Sequence, residues 1–447
     1  MAHIAFLVEA LSVTLVFLWR RQLDPLAVGI GSSLVYFAPG ILGMMRFGFD
    51  SGHGHRWYTE PVEAATYGTM GIVLVALAAG AAVVDRVPQR GTYAASFQSK
   101  IPGVLLIFVA LATLVSILHT GVYFFCLDKS IVLEKIDRWY SYASISAPFC
   151  IATAYALRQR VILVIGCLFL VADFFAGFRI GIAVSLLALM MLSGERLFRG
   201  WKAAAAFSLT VLLVGIAFFV SKQLIVPAKY ATASYCEARL ALDKVAGLTA
   251  PANKVPTEPG MTVTKYLDTM ASNYSRYFHP LNFITESEPF VIQATLNEVI
   301  RRNFHTDAGY IGAQLLSGLP LGTSLFGIDN ASLTTFNSRA QPVLFPNVSF
   351  GMANNPWAQA YAGGGLPMVA AFAVGYAAIL GGLTLLFHRT EGALKAGVAV
   401  IGIWVGFYFH RNDILIEIGY LKHAVYIFCA ALVVAWVTSI VGRRAIA

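Results

Sequence analysis

The chain of 447 residues is 58% hydrophobic and only 12% charged, with a mean hydropathy of +0.70. Soluble domains carry about a quarter charged residues, so the composition excludes a soluble globular protein and defines a polytopic membrane protein. The formal net charge of +9 does not imply a nucleic-acid partner, because the basic residues of alternate loops follow membrane topology.

A span needs roughly 20 apolar residues. Candidates lie near 3–19, 25–45, 62–84, 101–124, 142–157, 160–177, 180–194, 203–221, 360–387, 393–409 and 417–441. No cleavable leader is expected, since Met1-Ala2-His3 lacks a basic region and the first apolar run ends in Arg20-Arg21. Lys and Arg favour the cytoplasmic side. Alternate loops are basic: Arg20-Arg21, Arg86/Arg90/Lys100, Arg158/Arg160, Arg196/Arg199/Lys202, Arg389/Lys395 and the tail Arg443-Arg444. One orientation satisfies all of them, with the C-terminus inside and the long polar stretch outside.

Residues 160–194 are too long for one span at about 1.5 Å per residue, yet short for two. Basic residues at both ends predict a tight hairpin with Gly177-Phe178-Arg179-Ile180-Gly181 at its outer tip. Trp19, Trp57, Trp139, Trp201 and Trp357 fall at predicted span ends, as interfacial anchors do. No internal repeat of the inverted-repeat transporter kind is present.

From Lys222 to Asn355 the chain is polar. Helical spacing there predicts a helix carrying Leu267, Met270, Tyr274 and Tyr277, ended by Pro280. A second begins at Ser287-Glu288-Pro289, with Pro in its first turn, and closes at Arg301-Arg302. A third covers 308–316 and stops at Gly318. The expected fold class is an all-α polytopic membrane protein of about 11 transmembrane helices with one large, mainly helical outer loop domain. Residues 1–221 hold the N-terminal spans, 222–355 the loop domain and 356–447 the C-terminal spans. Five cysteines (Cys126, Cys150, Cys167, Cys236, Cys429) show no paired metal spacing. Cys126 and Cys236 both fall on the outer side, which leaves a disulfide between them open.

The outer face carries Arg46, Arg56, Arg138, Arg179 and Arg411 in short loops and helix tops, and Arg239, Arg276, Arg301, Arg302 and Arg339 in the long domain. Arg179 and Arg411 stand out, each at a span boundary in apolar sequence, where an ionisable residue is costly and tends to be functional. Snorkelling, or pairing with Asp173 or Asp413, is the purely structural alternative. An arginine fork matches phosphate oxygens, so arginines converging near the outer interface would suit a lipid-borne diphosphate. Candidate bases on this side are Glu286, Glu288, Glu298, His279, His305, Asp307, Asp329 and Asp413. For any one of them a solvated face, helix cap or ion pair is the ordinary role. No metal-ligand pattern, phosphate-binding loop or serine-nucleophile motif is present, so neither metal nor cofactor is expected.

Three features resemble the O-antigen polymerase (Wzy-type) family of repeat-unit polymerases. They are the arginine hairpin tip 177–181, one large loop after the following span, and the re-entry sequence Asn354-Asn355-Pro356-Trp357-Ala358-Gln359-Ala360-Tyr361-Ala362-Gly363-Gly364-Gly365. The tip reads Phe-Arg where the family more often has Ser-Arg. The resemblance implies a multi-pass protein of the bacterial inner membrane with its large loop in the periplasm. It also implies metal-independent glycosyl transfer between undecaprenyl-diphosphate-linked oligosaccharides, with membrane lipids, a chain-length regulator and a repeat-unit flippase as partners. Catalytic roles then fall to Arg179, Arg411 and Arg301, with Glu286, His305 or Asp307 as base. Arg276, Arg302, Asn354, Asn355, Tyr274, Tyr277 and Asp413 would bind substrate.

An O-antigen ligase shares this architecture but tends to carry a histidine where this chain has Asn354-Asn355. A lipid-linked sugar flippase would show repeats and charges deep in the membrane. Glu9, His119, Asp173 and Glu417 are the residues that come nearest to that.

Overall fold

The computed structural model describes residues 1–20, 23–50, 55–88, 92–126, 132, 135–175, 178–193, 236, 238, 287–319, 321–329, 333–348, 352–353 and 355–444. Among them, six helices are long and apolar enough to cross a membrane: Ala2–Arg20, Ala64–Arg86, Gln98–Phe124, Pro356–Arg389, Gly392–Arg411 and Ile414–Val441. The expected span 203–221, the helix face Leu267–Tyr277 and the tip residue Gly177 lie outside the described residues.

The chain opens with α1 (Ala2–Arg20) and α2 (Pro25–Tyr36). Asp24 caps α2, accepting from the Ala27 N–H at 2.8 Å, and Pro25 takes the first turn, where no donor is lost. The predicted span 25–45 breaks at Phe37, and a further helical turn, Ala38–Leu42, follows. The chain then turns into an antiparallel pair, β1 (Met44–Asp50) and β2 (His55–Pro61), with Gly48 opposite Trp57. This pair is an unforeseen addition to a chain whose described residues are otherwise mainly helical. Met45 and Phe47 alternate toward the interior, both fully buried, with the period of two that a strand imposes.

Next come α3 (Ala64–Arg86), α4 (Ile101–Thr120) and α5 (Arg138–Ala156). The stretch 160–194 divides into α6 (Arg160–Phe175) and α7 (Ile180–Ser193), and the Phe178 N–H bonds the Asp173 carbonyl at 3.0 Å across the break. Both helices pack on α5. Cys126 and Cys236 form a disulfide, Cα–Cα 5.2 Å, that ties the segment after α4 to the start of the long stretch.

The helices of the long polar stretch are α8 (Glu288–Arg301), α9 (Ala308–Ser317) and α10 (Phe336–Leu344). Ser287, Asp307 and Thr335 occupy their N-cap positions, and Gly318 ends α9. They share one core with the strand pair, built on Phe47, Phe290, Leu296, Phe336 and Leu344. Ala358, Ala362 and Ile414 of the membrane helices enter the same core, so these helices are a cap seated on the bundle. Buried amides fasten the seat. Asn297 accepts from the Glu63 N–H and the Thr66 hydroxyl at 2.9 Å each.

The chain closes with α11 (Pro356–Arg389), α12 (Gly392–Ile403) and α13 (Ile414–Arg444). Helix α11 is broken at Gly364-Gly365, where Gly365 adopts φ 62°, ψ −156°, a conformation open in practice to glycine alone. The Thr306 N–H bonds the Ala362 carbonyl at 2.9 Å beside the break. Between α12 and α13 the backbone passes through a π turn, Trp404–Tyr408, and a 3-10 turn, Phe409–Arg411.

Candidate functional site

The change of pitch after α12 sets consecutive residues in opposite directions. His410 points inward and is fully buried. Its Nδ1 accepts from Trp357 Nε1–H at 3.1 Å, and because indole is a donor only, the ring proton resides on Nε2. That nitrogen donates to Ser33 Oγ at 2.9 Å, and the Ser33 hydroxyl passes its own hydrogen to the Gly29 carbonyl. The imidazole also stacks on Tyr36. His410 thus ties α2, α11 and the end of α12 together, and Arg411 is aimed from a fixed base.

The residues after Arg411 are pinned as well. Asn412 Nδ2 donates to the Tyr408 carbonyl at 3.1 Å. Asp413 opens α13, accepting from the Ile416 N–H at 2.9 Å and the Phe336 N–H at 2.7 Å. Burial pushes its carboxyl above the ordinary value, against the pull of those two donors. Gln359 bridges the same seam, accepting from the Ile414 N–H at 3.0 Å and donating to Gln314 Oε1 at 2.5 Å.

From this base Arg411 Nε reaches Glu288 Oε1 at 2.6 Å, in the first turn of α8, with side chains 43% and 37% exposed. Arg179, at the start of α7, stands in the same field. Partial desolvation and the positive charge of Arg411 hold its guanidinium below the ordinary value, while Glu288 pulls it back. The Tyr36 hydroxyl lies within range of both Glu288 and Arg411, and Arg411 also faces the Tyr408 ring at 5.9 Å. Below Arg179, buried Asp173 accepts from the Tyr140 hydroxyl and, at 3.3 Å, from Ser144. A Cβ on Gly181 would stand 3.0 Å from Asp173 Oδ2 and 3.1 Å from Leu170 Cδ2, so glycine there lets the two halves of the hairpin close. The result is an Arg411–Glu288 ion pair, half exposed at one end of the bundle, with Arg179 near enough to feel both charges. An incoming dianion can displace that carboxylate and gain both forks.

The other expected site residues separate from this pair. Arg301 closes the 14-residue helix that Glu288 opens, which at about 1.5 Å per residue sets them roughly 20 Å apart. Arg301 Nε and Arg302 Nε each hold buried Glu298 at 2.7 Å, and the Tyr58 hydroxyl donates to the same carboxylate at 2.5 Å. Burial raises that carboxyl, but these donors outweigh it and keep Glu298 below the ordinary range. His305 lies beyond them, exposed, paired with Asn303 at 2.9 Å. Neither Arg301 nor His305 is therefore placed to act with Arg179 and Arg411. Asn355 is fully buried and caps α11, accepting from Trp357 and Ala358 N–H and donating to the Ile292 carbonyl. Asn355 and Asp413 are thus buried helix caps whose side-chain oxygens are taken up by backbone N–H groups. Arg276, Glu286, Tyr274, Tyr277 and Asn354 lie outside the described residues.

Sequence reasoning noticed Glu288 at a helix start and as one candidate base among eight, and passed over His410. The signal for Glu288 was its place in a first turn, where an acid faces the helix dipole. Among the described residues no three His, Cys, Asp or Glu side chains gather to hold a metal ion. Comparison with protein-family models, curated protein sequences and solved structures finds no match to this chain.

Proposed function

We propose that the protein is a metal-independent membrane glycosyltransferase that polymerises undecaprenyl-diphosphate-linked repeat units at the outer face of the bacterial inner membrane. The observation that carries this reading is the Arg411–Glu288 ion pair at the end of apolar helices, with Arg179 in the same field of charge. A hydroxyl of the acceptor sugar attacks the anomeric carbon of the donor chain, and the bond from that carbon to the diphosphate breaks. Undecaprenyl diphosphate leaves with its charge held by the two guanidiniums, stabilisation that grows as the bond breaks. Glu288, released from Arg411 by the entering diphosphate, takes the hydroxyl proton. The Cys126–Cys236 disulfide supports the orientation, because such bonds form in oxidising compartments.

The test is deletion of the gene in its host, with surface glycans resolved on a gel. Core bearing a single repeat is expected to remain and the ladder above it to vanish. Wild type restores the ladder. Arg179→Ala and Arg411→Ala, shown by immunoblot to reach the membrane, do not, each losing roughly 10²–10³-fold in rate. A core stripped of all glycan, with lipid-linked polymer accumulating, marks a ligase instead. A ladder untouched by deletion sinks the reading.

A further inference from the structure

Two cavities open side by side along α13, and neither is lined by Arg179 or Arg411. The first, about 490 Å³, lies between the start of α5 and the start of α13. Its polar lining is Arg138, Ser141, Tyr142, Tyr420 and His423, and its described lining holds no carboxylate. The neighbouring acid, Asp137, is engaged elsewhere, capping the Tyr140 N–H at 3.0 Å and meeting His119 at 2.8 Å. The second cavity, about 320 Å³, starts at the same Tyr142 and His423 and continues as an apolar groove between α4 (Val104, Phe108) and α13 (Ile427, Val434). From His423 to Val434 the groove follows α13 for roughly 17 Å, more than half of a hydrocarbon core about 30 Å thick.

A chamber with a fixed positive charge, hydroxyl and imidazole groups and no acid suits an anionic head, and the arginine fork suits phosphate in particular. The apolar groove leading from it suits a hydrocarbon chain. A free anion would gain nothing from the groove, and an uncharged lipid would gain nothing from Arg138. A single groove fits one chain, where a phospholipid has two. Tyr420 forms part of the chamber wall and stands within range of the charges on Arg411 and Asp173, so a head bound here lies on the Arg411 side of α13.

We propose that chamber and groove form a second lipid site, for a single-chain polyprenyl carrier with a phosphate head, which holds the acceptor next to the donor. The site rests on the head-and-tail geometry; its assignment to the acceptor carrier rests on the polymerase reading.

Native mass spectrometry of the full-length purified protein with undecaprenyl phosphate counts the bound copies. Wild type is expected to carry two. The double variant Arg138→Gln/His423→Gln carries one. So does Gly419→Leu, which narrows the chamber from a position where an added Cβ meets nothing within 4 Å. Arg179→Ala keeps the chamber copy, and combining it with Gly419→Leu leaves none. Excess phosphatidylglycerol does not displace the second copy. A wild type that never exceeds one copy, or chamber variants that keep two, overturns the proposal. Displacement by phosphatidylglycerol also overturns it, giving the cavity to bulk phospholipid. No sugar transfer enters these counts. Two copies beside an untouched glycan ladder would leave the site standing and remove the polymerase, while one copy beside a lost ladder would do the reverse.

Discussion

Glu298 shows what a single side chain does at the cap. Its carboxylate is fully buried and holds Arg301, Arg302 and the Tyr58 hydroxyl around it. Glu298→Gln leaves those donors facing a neutral amide, at a cost of about 2 kcal/mol, read as a lower melting temperature in detergent. Because the folded carboxyl is held below its ordinary value, its contribution is complete above the unfolded value and is lost as pH falls through the folded one. Wild type is therefore expected to lose melting temperature on acidification below the ordinary glutamate range, and Glu298→Gln to lose less. Equal acid sensitivity in the two would remove Glu298 as the cause. At this scale Arg179 and Arg411 were legible, since a guanidinium at a span end stands out against apolar neighbours. Arg301 and Arg302 carry the same charge and were placed at the close of the helix that Glu288 opens, but nothing in their types says that they are taken up by Glu298. Asn355 could have been read as a cap, because Asn before Pro is a helix start. His410 could not, because its burial follows from contacts with Ser33 and Trp357 that are distant in the chain.

Helix α11 illustrates how an element can be found while its shape is missed. Its apolar run and its cap are plain in the sequence, but the place where it breaks depends on one dihedral pair at Gly365. An alanine there must adopt a conformation that costs on the order of 1–3 kcal/mol. Gly365→Ala is expected to lower the melting temperature of the purified protein. Gly375→Ala, in the same helix with nothing within 4 Å of the added Cβ, is expected to leave it unchanged. Equal effects would mean that the break is not held by its backbone. The strand pair was missed for another reason. Its alternation, Met45 and Phe47 inward, is short and follows directly on an apolar stretch that reads as helix. The hairpin at 160–194 was legible because length and charge together allowed only one solution, and α6 and α7 agree with it.

For the whole molecule, charge bias and cysteine pairing bear on orientation independently. Of the five cysteines, Cys126 and Cys236 are bonded while Cys150, Cys167 and Cys429 are free. Denatured protein treated with a maleimide is therefore expected to take three labels before reduction and five after. Five before reduction would take away the support that the disulfide gives to the outward face. Helix α11 runs 34 residues, roughly 51 Å at about 1.5 Å per residue, against a hydrocarbon core of about 30 Å. Counted from Pro367 to Arg389, its second half alone is long enough to cross, so the two-glycine break falls near the level where hydrocarbon ends. Trp357, which holds His410, stands at most roughly 10 Å beyond that break. By that count Arg411, next to His410, falls near the level where hydrocarbon gives way to headgroups. On the polymerase reading proposed above, the carrier would be engaged without being lifted from the lipid, and the sugars it bears would stay in water throughout.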